Sequence, residues 1–343
     1  MSHQHNCSQF TTQIDKEGFV YHIDASIMDC LLEIDNGDGS FLEWLNDEYF
    51  REFTEDLFHR EIWPRMPKEI KELWNIEAKR ITADINDESA LIELYSKHYD
   101  FPWSLMPLEN GVSIRRKFDF SVSLVSVGKI PLCENDALMI FNGNITSHDT
   151  GYDFYGLEFV NSSLLKGGLF LRSMDMNYAK MFKIEQDNVM SLQSPTQITT
   201  KRVNRKGIEL PCITIINAHA NSSQIEVANG ESNISTQLTE HLESTPGVID
   251  FLNLECCNSL RFARKQGVLE TGKVRTLVGH IGKMDESKSV TAFQLNLYNN
   301  LEKGLRASTA FRMAMNSVDP EDPASGSYQL VGDGRLILGR NLN

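Results

Sequence analysis

Pro246-Gly247-Val248-Ile249-Asp250-Phe251-Leu252-Asn253-Leu254 is a turn signal followed by a short run dominated by apolar side chains. Pro and Gly punctuate the chain, and the run after them is strand-like in length and composition. Working outward, Ile208 to Ile216 is a second such run, ending at Asn217. Val274 to Ile281, introduced by Thr271-Gly272, is a third, and Ser121 to Val127 and Ala137 to Phe141 add two more. Helical patterns lie between and after them at Ser235 to Glu243, Ser259 to Gln266 and Ser287 to Lys303. In the last, Val290, Phe293, Leu297, Tyr298 and Leu301 form a stripe at helical spacing that Gly304 ends. Strands alternating with helices imply an α/β fold with a mostly parallel central sheet and helices on both faces.

The first hundred residues have a different texture. After an extended piece at Phe19 to Ile23 they read as mostly helical. Phe41, Trp44, Leu45, Tyr49, Phe50, Phe53, Leu57 and Phe58 put apolar side chains on one helix face, which is the pattern of a core-packing surface. No repeat, low-complexity tract or long linker divides the 343 residues.

Composition narrows the function classes. With 41% apolar and 23% charged residues the chain has the make-up of a folded, soluble protein. A formal net charge of -14, with no dense Lys/Arg cluster beyond Lys201 to Lys206, argues against nucleic acid as the main partner. No signal peptide and no membrane-length apolar run is present, so a cytoplasmic location and no membrane partner are expected. Six cysteines in this length make no disulfide framework, and no CxxC pair with zinc-type spacing occurs. No metal and no organic cofactor is expected.

Two strand ends carry chemistry. One is Ile213-Thr-Ile-Ile-Asn217-Ala-His219-Ala220-Asn221, and the other is Leu254-Glu255-Cys256-Cys257-Asn258-Ser259. If the two strands are parallel neighbours, a crossover brings their carboxyl ends side by side. An imidazole and a thiol on one edge can generate a thiolate nucleophile. A structural histidine and a small buried cysteine are also ordinary at such places, so residue types alone leave both readings open. Period-two alternation separates the adjacent thiols, sending Cys256 and Cys257 to opposite faces and Glu255 to the face of Cys257.

Leu254-Glu-Cys-Cys257-Asn-Ser259 resembles the L-x-x-C-x-S strand end of CHAT domains, caspase-like cysteine peptidases related to separase. Val274 to Asp285 resembles their next strand and turn. Ala292 to Gly304 resembles the A-x-x-F-x-x-x-L-Y-x-x-L-x-x-G helix, and Leu305 to Val318 the last Ala-rich helix. Asp100-Phe-Pro102-Trp103-Ser-Leu105 is similar to their I-P-W-E-L-L segment. The likeness implies a caspase-like peptidase domain over residues 96–343 and a mostly helical accessory or regulatory region over 1–95.

Carried over by residue, the resemblance implies Cys257 as nucleophile and His219 as general base, with the backbone at Ala220 and Cys257 serving the oxyanion. It implies Glu255 and Asp285 as substrate-binding residues, with Glu255 lining a pocket for a basic P1 side chain, although a local basic group such as Arg261 or Arg264 capping Glu255 is the plainer alternative. The implied activity is a cysteine endopeptidase cutting a protein substrate after Arg or Lys. Implied partners are a gasdermin-like pore former as substrate, in bacterial antiviral defence, and a separate activating sensor protein. The family usually follows its histidine with Gly where this chain has Ala220-Asn221. That departure favours the alternative of a catalytically inactive caspase-like scaffold.

Overall fold

The computed structural model describes residues 10–15, 18–35, 39–48, 54–85, 90–124, 130–133, 138–142, 189–192, 210, 212–217, 235–283 and 288–340. The strands within them are β1 (Phe10–Ile14), β2 (Val20–Asp24), β3 (Leu91–Tyr95), β4 (Asp119–Ser123), β5 (Leu138–Asn142), β6 (Val189–Leu192), β7 (Ile213–Asn217), β8 (Ile249–Glu255), β9 (Val274–His280), β10 (Lys303–Arg306), β11 (Tyr328–Gly332) and β12 (Leu336–Arg340). The longer helices are α1 (Ser26–Leu32), α2 (Phe41–Glu48), α3 (Lys68–Asp84), α4 (Ser235–Ser244), α5 (Ser259–Gln266), α6 (Lys288–Glu302) and α7 (Ala307–Met315). None of the described helices is long and apolar enough to cross a membrane.

Nine of these strands form one sheet in the order β2-β3-β4-β11-β9-β8-β7-β5-β6. Every pairing in it is parallel except β11 with β9. Two parallel blocks of opposite direction thus meet at one antiparallel seam. The remaining strands make a small antiparallel sheet, β1-β12-β10.

Both faces of the large sheet are covered, because its strands alternate between two apolar layers. On β8, Leu252 and Leu254 join one layer, with Trp74 and Ile70 of α3, Leu242 of α4 and Phe262 of α5. Phe251 joins the other, with Ile213 and Ile215 of β7, Val278 of β9, Phe293 and Leu297 of α6 and Phe311 of α7. The mostly parallel α/β architecture anticipated from the sequence is the one observed.

Residues before 96 supply helices and also β2 and β3, and β3 is hydrogen-bonded to β2 on one side and β4 on the other. Leu91-Ile-Glu-Leu-Tyr95 is a short apolar run, the kind that periodicity alone cannot assign to helix or strand. The following segment is anchored by Trp103, whose indole N–H donates to Ser96 Oγ and to the carbonyl of His98, both at 3.0 Å. Asp100 pairs with Arg264 of α5 at 2.6 Å.

Candidate active site

β7 and β8 are parallel neighbours, with Asn217 opposite Glu255 at their carboxyl ends. β8 then stops, and the chain turns through Cys256, Cys257 and Asn258 into α5. Asn258 takes the left-handed conformation at φ 53°, which Asn tolerates better than most residues. Its backbone N–H donates to the carbonyl of Gly282 at 2.8 Å. Ser259 ties the turn to β8 and β9: its hydroxyl donates to the Leu254 carbonyl at 2.9 Å and accepts from the His280 backbone N–H at 2.8 Å. Gly279 lets α5 come this close, since a Cβ there would meet Ser259 Oγ and Leu260 Cδ2 at 2.9 Å.

The adjacent thiols differ in environment. Cys256 is fully buried in the layer of α3 and α5. Burial foremost, then the neighbouring Cys257 and Glu255, pushes its thiol well above the ordinary cysteine range, which keeps it protonated and unreactive. Cys257 is partly exposed and packs against the opposite layer. Of the pair, Cys257 alone has the accessibility that a nucleophile needs.

Glu255 lies on the same face and is fully enclosed, at 0% exposure. One carboxylate oxygen accepts from Asn253 Nδ2 at 2.7 Å, and the other from the Tyr328 hydroxyl at 2.9 Å with His280 Nε2 at 3.1 Å. Tyr298 closes on Asn253, and Gln294 Nε2 donates to the Tyr328 hydroxyl at 3.1 Å. Burial first, and Glu255 next, hold that hydroxyl well above the ordinary tyrosine range, so it remains a donor. A carboxylate expected to line an open pocket is therefore satisfied from within by β9, β11 and its own strand. Arg264, a basic group within reach in sequence, pairs with Asp100 instead.

His219, Ala220 and Asp285 lie outside the described residues. What the structure brings together at this edge is Cys257, Glu255, Asn253, His280, Tyr328 and Ser259.

No protein-family model and no curated protein matches the chain. Solved structures that resemble it include the complex of Porphyromonas gingivalis RgpB pro- and mature domains. There the identity is 13%, 94% of this chain and 80% of that chain are covered, and the TM-score is 0.49. The Saccharomyces cerevisiae separase–securin complex is similar at 10% identity over 81% of this chain and 18% of that chain, with a TM-score of 0.42.

The enclosing groups His280, Tyr328 and Asn253 escape sequence reasoning. The signal available is weak: Asn253 and Glu255 are polar residues two apart in an otherwise apolar strand, which marks a buried network on one face. Nothing in the sequence pairs that face with Tyr328. Among the described residues, a group with metal-ligand chemistry lies at the opposite edge of the sheet, in Cys133, Cys212 and Asp250.

Proposed function

We propose that the chain is a caspase-like cysteine endopeptidase acting through Cys257 and His219. The observation that carries this reading is the register of β7 on β8: Asn217 faces Glu255, and His219 and Cys257 each follow by two residues. Cys257 is partly exposed at a tight turn, while Cys256 is sequestered.

In the proposed mechanism His219 takes the thiol proton and Cys257 Sγ attacks the scissile carbonyl. Backbone N–H groups at Ala220 and Cys257 stabilise the oxyanion. The imidazolium returns its proton to the leaving amine, and water, deprotonated by His219, then releases the acyl group and restores the thiol. No step calls on a metal.

The proposal includes a basic P1 residue. Glu255 is its partner once substrate displaces the Tyr328 and His280 contacts, and the enclosed arrangement is the resting one. Each hydrogen bond to a charged group is worth about 1.5–3 kcal/mol, and a bidentate Arg–carboxylate pair can offset the loss. A protein substrate of the pore-forming, gasdermin-like kind and activation by a separate sensor protein belong to the same proposal and rest on the family resemblance alone.

Purified protein is to be assayed on peptides with Arg, Lys or neutral P1. Cleavage lost in Cys257→Ala and kept in Cys256→Ala is expected, and full cleavage by Cys257→Ala removes the assignment. Glu255→Gln should lower basic-P1 cleavage at least tenfold more than neutral-P1 cleavage, and an equal loss on both would end the P1 proposal.

A second reading is a non-catalytic scaffold. Its support is the enclosure of Glu255, which offers no charge to a ligand in this arrangement. No turnover of any of these peptides by the wild type, and none of the P1 series bound in preference to another, would favour it.

A further inference from the structure

We propose that Cys133, Cys212 and Asp250 form a binding site for a thiophilic divalent cation, with zinc as its natural occupant. The three come from the segment ahead of β5, the residue before β7 and the start of β8. These strands are consecutive in the sheet, and the three residues meet at its edge opposite Cys257. The site is thus separate from the proposed peptidase chemistry and does not depend on it.

The ligand atoms, two sulfurs and a carboxylate oxygen, lie within 4.8 Å of one another. Cys212 Sγ stands 3.6 Å from Asp250 Oδ2. A tetrahedral zinc with bonds of about 2.3 Å to sulfur and about 2.1 Å to oxygen holds such a pair of ligands about 3.6 Å apart. The thiol proton shared by sulfur and oxygen therefore occupies the space a cation would take.

The carboxylate is oriented in the way ligating carboxylates usually are. The Cys133 backbone N–H donates to its two oxygens at 3.2 and 3.1 Å, and Arg275 Nε donates to Oδ1 at 3.1 Å. Two thiolates and a carboxylate around a divalent ion leave one negative charge, and the guanidinium of Arg275, 6% exposed and shared with Asp333 at 3.6 Å, lies beside it. Binding replaces two S–H bonds with two metal–sulfur bonds and releases both protons to solvent. Cys133 is only partly buried, so an ion can enter from solvent and a water can complete the tetrahedron.

The sequence gives no hint of this, because the ligands sit on separate segments with none of the close spacing that marks a zinc motif. In the folded chain the ion would clamp the segment leading into β5 onto β7 and β8.

The test is cobalt titration of the reduced, chelator-stripped full-length protein, followed by competition with zinc. We expect one cobalt per chain with thiolate-to-cobalt absorption in the near ultraviolet, displaced by zinc and lost in Cys133→Ser/Cys212→Ser. Uptake and spectrum unchanged in the double variant would place the metal elsewhere, for instance on His3, His5 and Cys7, and overturn the proposal; so would no uptake by the wild type. A variant-free measurement guards against misfolding. Zinc should slow N-ethylmaleimide labelling of the partly exposed Cys133 at least tenfold while leaving Cys30 unchanged, and equal rates at Cys133 with and without zinc would refute the site.

Discussion

The Ser259 hydroxyl bridges the ends of β8 and β9, accepting the backbone N–H of His280 and donating to the Leu254 carbonyl. Ser259→Ala leaves that buried N–H unsatisfied, at a cost of about 1–3 kcal/mol in urea unfolding. An unchanged midpoint would show that the bridge is idle. At this scale the distinction between Cys256 and Cys257 is legible in the sequence, because alternation along a strand needs no knowledge of the partners. The environment of Glu255 is not. Its enclosure depends on Tyr328, a residue remote in sequence that reaches the site only through the seam of β11 on β9.

Elements are legible where their ends carry local signals. α5 runs from Ser259 to Gln266 between Asn258 and Gly267, both left-handed, and its limits follow from those caps. The stretch from Phe41 to Trp74 has the apolar face of a helix, and its described residues form α2, short helical turns at Glu55–Leu57, Phe58–Ile62 and Trp63–Arg65, and the start of α3. Pro64 and Pro67 punctuate it, each lacking the N–H that a continuous helix would use. Glu55 anchors one of these turns. It is buried, which by itself would raise its carboxyl, but Arg115, Ser113 and Arg116 outweigh burial and hold it below the ordinary 4.5. A depressed carboxyl contributes stability that is present above its unfolded value and lost as pH falls through the folded one. Glu55→Gln should therefore be less stable than the wild type at neutral pH, with the gap narrowing as pH falls below the ordinary carboxylate value and through the lowered folded one. A gap independent of pH, measured by denaturant unfolding at several pH values, would contradict the charge-based account.

In the whole molecule, the parallel strands around β8 are readable because each is a short apolar run set off by turn residues. The reversal of direction at β11 is not, since one antiparallel pairing leaves no mark on either strand's own pattern. Gly332 ends β11 at φ 95°, where an added Cβ would fall 2.1 Å from the Arg275 carbonyl of β9. Gly332→Ala should destabilise the protein by on the order of 3 kcal/mol, and a neutral result in thermal unfolding would mean the seam is looser than described.

The central claim is that the two strand tips form one reactive unit. Its most direct test is the rate of iodoacetamide labelling of each cysteine against pH, read by mass spectrometry in the wild type and in His219→Ala. An imidazole beside the sulfur should let Cys257 react at least tenfold faster than the exposed Cys30, with a midpoint below the ordinary ~8.5 of a thiol, and His219→Ala should abolish that advantage. Identical rates and midpoints for Cys257 in the two proteins would contradict it.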